Sequence, residues 1–421
     1  MAERSWALEI SSEHRLRSEN LPYDIDVWYP GIERWGRGRG EEVTFRTVFI
    51  PLLRVEAESA VHFFRTLHNI KRERDFGSED GRVLSNLQQR VDKVVRKEFR
   101  QSGAMVRLCG RSPKDGTPRN SKLIREKYQA ELEYLRRKRP GKIEGPDLQM
   151  AAISRCTETL RVLGGEDVMH LLLSSERVYA DLIDWLEYGE PEQIVLRQWC
   201  QELSLDYEFR LYCRQGKLIG ISQYDTYGTY PYLADQRASL EALLVAFWEE
   251  VHDAVGVSSY CMDVGVLPRS ADADLRLRET LLPGEVRCVL IELSPFLPCT
   301  GPALFRWHDG ELHRGGATDL LVVRTAPLPS LGDLIEHNWE RRWAAAEEVG
   351  PVPPFSGSLP GLLGRRLPSR SPNDMSLFVY GTLRKGYFWH NKFLWTAKYA
   401  GEARTVEPYP LVVGECGVPY V

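Results

Sequence analysis

Residues 194–225 read IVLRQWCQELSLDYEFRLYCRQGKLIGISQYD, and the fold class turns on how they alternate. Successive side chains of an extended strand point to opposite sides. From Tyr207 to Arg214, Phe209, Leu211 and Cys213 therefore share one face, and Glu208, Arg210, Tyr212 and Arg214 the other. Gln215-Gly216 suits a two-residue turn, because glycine accepts a positive φ, and Lys217–Gln223 returns as the partner strand. The hairpin has a core face and a polar face on which a carboxylate and a guanidinium sit side by side. That polar face reads either as a solvent-exposed ion-pair surface or as a binding surface.

Two acids further along weigh toward binding. Asp263 ends the strand-like SYCMD, and Glu292 lies within the apolar run CVLIELSPF. An ionised carboxylate inside such a strand needs a cation or hydrogen bonds to stay charged. Two carboxylates on neighbouring strands, with Ser294 two residues beyond Glu292 on the same face, make an oxygen donor set suited to magnesium. Basic side chains at 107, 114 and 210 are placed to neutralise phosphates. Together they suggest a nucleotide site on the face of an antiparallel sheet.

Around this centre, Trp28-Tyr29-Pro30 reads as a docking aromatic pair, Gly36–Gly40 as a flexible basic loop and 44–52 as a buried strand. Apolar residues at 84, 87, 91, 94 and 95 have helical spacing, and 104–108 reads as a strand. Residues 119–142 form a strongly basic helix ending in Arg136-Arg137-Lys138-Arg139, either solvated or facing a phosphate-rich partner. Helices are expected over 166–186, 233–251 and 331–346, and strands over 258–264 and 287–293. Proline, glycine and serine dominate 350–373, which marks a linker. The expected domains are 1–349, the linker 350–373, and 374–421.

The chain has 421 residues, 43% hydrophobic and 27% charged, with a formal net charge of −4. That is an ordinary globular composition with no bias toward nucleic acid or membrane. No apolar run of about 18 residues predicts a membrane span, and the N-terminus lacks a secretory core. The eight cysteines are scattered without a CxxC pair, which points to a reduced, cytoplasmic setting.

Four blocks in order, WYP…TFRTVFIPL, MVRLCGRSPKD, LRQWCQELSLDYEFRLYCRQGKLIGISQYD and VLIELSPFLPCTGPALFRW, resemble the cell division cycle protein 123 family, a divergent branch of the ATP-grasp fold. The resemblance covers roughly residues 25–315. It implies an α+β, two-subdomain fold with antiparallel sheets, holding ATP and Mg. By resemblance Arg107 takes the place of a phosphate-contacting residue that is usually lysine, and Ser112 and Lys114 lie in a loop folding over the phosphates. Arg197, Gln198, Trp199 and Cys200 fall in the segment holding the adenine, partly through backbone groups. Arg210 points at the phosphates, and Asp263, Glu292 and Ser294 take the metal positions. The family commonly has aspartate at the place of Glu292 and asparagine at that of Ser294. The implied partner is the gamma subunit of eukaryotic translation initiation factor two, whose assembly the family promotes; no membrane and no direct nucleic-acid contact is expected.

From Ser376, SLFVYGTLRKG followed by FWHN and GEARTVEPYPLVVGECGVPYV resembles the gamma-glutamylcyclotransferase-like fold. The resemblance implies a glutamyl-binding loop at Tyr380, Gly381, Thr382 and Leu383, in an incomplete β-barrel segment. Glu402, Glu407 and Glu415 match non-catalytic positions, so no catalytic residue is assigned and no cyclotransferase activity is expected. The functional expectation is an ATP-dependent assembly factor. The alternatives are an ATP-grasp amide-bond ligase, related to gamma-glutamyl amide metabolism through the fused segment, and a nucleotide-binding scaffold without turnover.

Overall fold

The computed structural model describes residues 21–67, 76–113, 116, 121–138, 160–189, 191–226, 228–270, 273–297, 300–307, 320–325, 412–413 and 419–420. Helix α1 (Ile25–Arg39) buries Ile25, Trp28, Tyr29 and Ile32 as one apolar stripe. The Trp-Tyr-Pro motif is thus helical, with Pro30 inside the helix. The Gly36–Gly40 segment is not a loop: Gly36–Arg39 is its last turn, and Gly40 closes it at φ 71°. At Gly36 the returning chain passes so near that a Cβ would meet the Glu41 carbonyl at 2.7 Å. Arg37 and Arg39 suit this end of the helix because they face the negative pole of its dipole.

The first sheet contains β1 (Thr47–Pro51), β2 (Ala104–Leu108), β3 (Arg161–Val162) and β4 (Gln193–Gln198), in the antiparallel order β1-β4-β2-β3. Helices α2 (Arg54–Leu67) and α3 (Ser78–Glu98) pack with it, α3 burying Leu84, Leu87, Val91 and Val95. Helix α4 (Ser121–Lys138) carries the basic stretch; its Tyr128 and Leu132 enter the other core, and Glu131 pairs with Arg276 at 2.8 Å. The helix expected over 166–186 is two, α5 (Gly165–Ser174) and α6 (Glu176–Tyr188). Ser175 divides them: its hydroxyl accepts the Val178 N–H at 3.2 Å, which makes it the N-cap of α6.

The second sheet contains β5 (Glu208–Arg214), β6 (Lys217–Gln223), β7 (Tyr260–Pro268), β8 (Val286–Pro295) and β9 (Leu321–Val322), in the order β8-β7-β5-β6-β9. All pairs are antiparallel except β6 with β9, which is parallel. The turn between β5 and β6 is made by Gln215 (φ 50°) and Gly216 (φ 72°), the doubly positive geometry of a tight hairpin. Short helix α7 (Pro231–Asp235) leads into α8 (Arg237–Val251). Leu240, Leu244, Phe247 and Val251 of α8 pack in one core with Phe209, Leu211 and Cys213 of β5.

Strand β4 serves both cores. Ile194 and Leu196 lie in the helix-side core, and Val195 lies in the core of the second sheet. Alternation then turns Arg107 of β2, paired with Val195, and Arg197 of β4 away from the helices and toward the second sheet. Among the described residues no helix is long and apolar enough to cross a membrane. A last antiparallel pair joins β10 (Val412–Val413) to β11 (Pro419–Tyr420). The expected helix over 331–346, the linker 350–373 and the loop Tyr380–Leu383 lie outside the described residues.

Candidate functional site

One row of side chains crosses the second sheet. Glu292 of β8 is the register partner of Asp263 on β7, Asp263 of Arg210 on β5, and Arg210 of Ser222 on β6. Directly opposed carboxylates have Cβ atoms about 5 Å apart and repel, at an effective dielectric of 20 by roughly 3 kcal/mol. Each is answered by its own arginine. Arg210 grips Asp263 in a two-pronged pair, Nε to Oδ1 at 2.7 Å and Nη2 to Oδ2 at 2.8 Å. Arg107 reaches across from the first sheet to Glu292 Oε1 at 2.8 Å.

Burial makes this row a site of high electrostatic consequence. Arg107 and Arg197 are each 3% exposed, Arg210 7% and Asp263 2%, whereas the Glu292 side chain is 23% exposed. The polar face of the hairpin is therefore interior at Arg210 and Tyr212, half-buried at Glu208 and exposed at Arg214 beside the turn. Burial alone would push the Arg210 guanidinium down, but the charge and hydrogen bonds of Asp263 outweigh it and hold it well above its ordinary range. For Arg197 burial, seconded by the charge of Arg107, wins, and its pKa falls. Three guanidinium groups are gathered beside the two carboxylates, donors of the kind that recognise phosphate oxygens.

Arg210 is further fixed by the Gly301 carbonyl, which accepts from Nη1 at 2.6 Å, and by the Tyr224 ring, 4.9 Å below its guanidinium. Arg107 also donates to the Leu108 and Gly110 carbonyls at 3.0 and 3.1 Å, tying the loop after β2 to β8. Ser112 is buried in that loop, and its carbonyl accepts from Arg177 at 3.1 Å. Lys114 lies outside the described residues. Ser294 lies two pairs further along, opposite Cys261, on the same face as Glu292.

The Arg197–Cys200 segment leaves β4 and runs beside β2. The Gln198 and Trp199 amides donate to the Arg46 and Gly103 carbonyls at 2.8 and 3.1 Å, and the Trp199 indole donates to Gln201 at 3.1 Å. Cys200 lies 3.2 Å from the Glu202 carboxylate; burial first, and this neighbour second, push its thiol up to about 11. The Arg197 side chain is employed differently from its neighbours, inside the layer against Thr44 and the backbone of β8.

Asp263, Glu292 and Ser294 offer oxygen atoms only, the chemistry a hard divalent cation takes. No group of three or more His, Cys, Asp or Glu placed to hold a metal ion exists among the described residues, so phosphate oxygens and water would have to complete any shell. Tyr224, Ser222, Thr44 and the Gly301 carbonyl were not visible as site residues in the sequence. Arg210 and Ser222 could have been matched by counting from the turn, but an extra residue in β6 shifts that register.

Residues 151–330 match the family model D123; this span holds Arg197 through Ser294, and Arg107 and Ser112 precede it. The chain is 32% identical over 151 residues, 34% of its length, to cell division cycle protein 123 of Eremothecium gossypii, and covers 38% of that relative. It is 28% identical over 180 residues to the translation initiation factor eIF2 assembly protein of Lodderomyces elongisporus, covering 37% of this chain and 41% of the relative. The Dictyostelium discoideum protein of the same name is 26% identical over 163 residues, 37% of this chain and 36% of its own length. The chain thus spans about two fifths of the length of the curated relatives it matches. Among solved structures it is similar to Cdc123 from Schizosaccharomyces pombe, with a TM-score of 0.43 and 17% identity over 72% of this chain and 94% of that one. Of the four blocks of sequence that carry the resemblance, the two that start at Leu196 and Val289 fall within the span 151–330 matched by the family model.

Proposed function

We propose that this protein binds ATP and magnesium between its two sheets and serves as an assembly factor for the translation initiation factor eIF2 complex, acting on the gamma subunit. The observation that carries the nucleotide reading is the paired row. Asp263 and Glu292 face one another, with Arg210 and Arg107 converging on them in a buried layer. On this reading Asp263, Glu292 and Ser294 hold the cation, which neutralises and orients the phosphates. Arg107, Arg210, Ser112 and Lys114 contact the phosphates, and the Arg197–Cys200 segment lies along the adenine. The assembly role is supported by relatives that carry the name eIF2 assembly protein. ATP bound only to the folded form raises stability by mass action, about 2.7 kcal/mol at a hundredfold excess over Kd.

The test is thermal unfolding with MgATP, paired with capture of purified gamma subunit. MgATP should raise Tm in the wild type and not in Asp263→Asn, and capture should be stronger with MgATP than without. No nucleotide-dependent shift in the wild type sinks the nucleotide reading; equal capture of an unrelated GTPase sinks the partner.

A further inference from the structure

Strand β8 does not run straight through the site. Asp263 pairs with Glu292, yet the next residue of β7, Val264, pairs with Leu290, so Ile291 is an extra residue with no partner. The core records the same irregularity: Leu290 and Leu293 both lie in the apolar core of the second sheet, although residues three apart on a regular strand face opposite sides. Such a bulge re-aims the side chains that follow it. Without it, Glu292 would share the face of Leu290 and point into the core, away from Asp263 and Arg107.

A bulge also leaves backbone groups that the ladder does not absorb, and in a buried place each needs a partner. Here the partners are Arg197 of the first sheet and the residues Val43 and Thr44 that precede β1. The Ile291 carbonyl accepts from Arg197 Nη1. The Leu290 carbonyl accepts from the Thr44 hydroxyl at 2.8 Å, and the Leu290 amide donates to the Val43 carbonyl at 2.8 Å. Arg197 Nη2 closes the set by donating to Thr44 Oγ1 at 2.9 Å. Phe45 and Trp28 lie against its guanidinium, 5.2 and 5.9 Å away. A planar fork that serves a backbone carbonyl and a hydroxyl at once is a task for arginine; the point charge of lysine cannot reproduce it.

We infer that Arg197, with Thr44, is the positioning clamp of this bulge and thereby aims Glu292 at the cation site. The inference rests on the magnesium reading above and adds a residue that touches neither metal nor phosphate. Three variants of the full chain test it: Arg197→Met, Arg197→Lys and Thr44→Val. Hydrogen exchange across 288–293 should rise at least tenfold in Arg197→Met, less in Thr44→Val, with exchange in α3 unchanged. Mn2+ affinity in the presence of ATP, followed by electron paramagnetic resonance, should weaken at least tenfold in Arg197→Met. In Thr44→Val, Mn2+ affinity should also weaken while affinity for ATP without metal stays within about threefold, a split that general loss of fold does not produce. Arg197→Lys should fall between, and it carries the test with Thr44→Val if the methionine variant does not fold.

Unchanged exchange at 288–293, or raised exchange with undiminished Mn2+ affinity, overturns the clamp. Should the wild type take up no Mn2+ with ATP, the nucleotide reading fails by itself. The clamp is then decided by the crystal structure of Arg197→Met, where Glu292 still opposite Asp263 refutes it.

Discussion

The two faces of the first sheet are equally buried and chemically opposite. Toward the helices, Ile194, Leu196, Val106 and Leu108 meet Leu84, Leu87 and Val91, an apolar contact throughout. Toward the second sheet the same strands present Arg107 and Arg197, which meet Glu292 and the β8 backbone. On the helix side, burial is itself the stabilising term, about 25 cal/mol per Å² of apolar area. On the other side the desolvation of each ion roughly cancels its attraction to a partner, and apolar replacements of such pairs are often as stable or more so. Stability therefore accounts for the first face and leaves the charges of the second to be explained by what they hold.

The comparison breaks first at Arg210. Arg210→Met leaves Asp263 buried without its partner and should cost about 3–5 kcal/mol, read from urea denaturation. The double variant Arg210→Met/Asp263→Leu should recover most of that loss while abolishing the MgATP shift. A double variant as unstable as the single one would show that the pair stabilises the fold. Leu84→Ala, on the apolar side, should cost about 2–5 kcal/mol and leave the MgATP-induced shift in place. Ser175→Ala removes the cap between α5 and α6 and should cost about 1 kcal/mol, seen as a smaller drop in the urea midpoint.

The mildest effect is on pH. The Cys200 thiol is held up to about 11 and that of Cys288, chiefly by burial, to about 12. Above pH 9 the unfolded chain releases these protons while the folded chain keeps them, so stability should fall as pH rises from about 9 to 11. Cys200→Ser should flatten that slope in urea midpoints measured between pH 8 and 11. Iodoacetamide should modify Cys200 slowly at pH 8, and more slowly with MgATP bound; equal rates with and without nucleotide would speak against adenine lying along this segment.

Much of this was legible in the sequence, and the failures share one cause. The hairpin, its turn and the core positions of α3 and α8 follow from periodicity, and the meeting of Asp263, Glu292, Arg107 and Arg210 from residue chemistry together with the family resemblance. What alternation does not reveal is an interruption of alternation. Counting back from Gln215-Gly216 places Ile221 opposite Arg210, whereas the irregularity near Ile219 brings Ser222 there. Leu290 and Leu293 likewise disguise the bulge that aims Glu292. Arg197 was placed with its sequence neighbours, but one step of the pleat separates its side chain from theirs. The expected single helix over 166–186 passes through Ser175 and the expected loop includes Gly36; only the Val178 amide and the approach of Glu41 decide their roles.

The order of side chains across β8, β7, β5 and β6 has a consequence for how the chain finds its structure. Acid, acid, guanidinium and hydroxyl can be neutralised together only when all four strands align as observed. Sliding β8, β7 or β5 by a residue turns its charged group into the α8 side and seats an apolar side chain among ions. The same residues that would bind a nucleotide thus act as a proofreader of strand pairing, penalising misaligned sheets before any ligand is present.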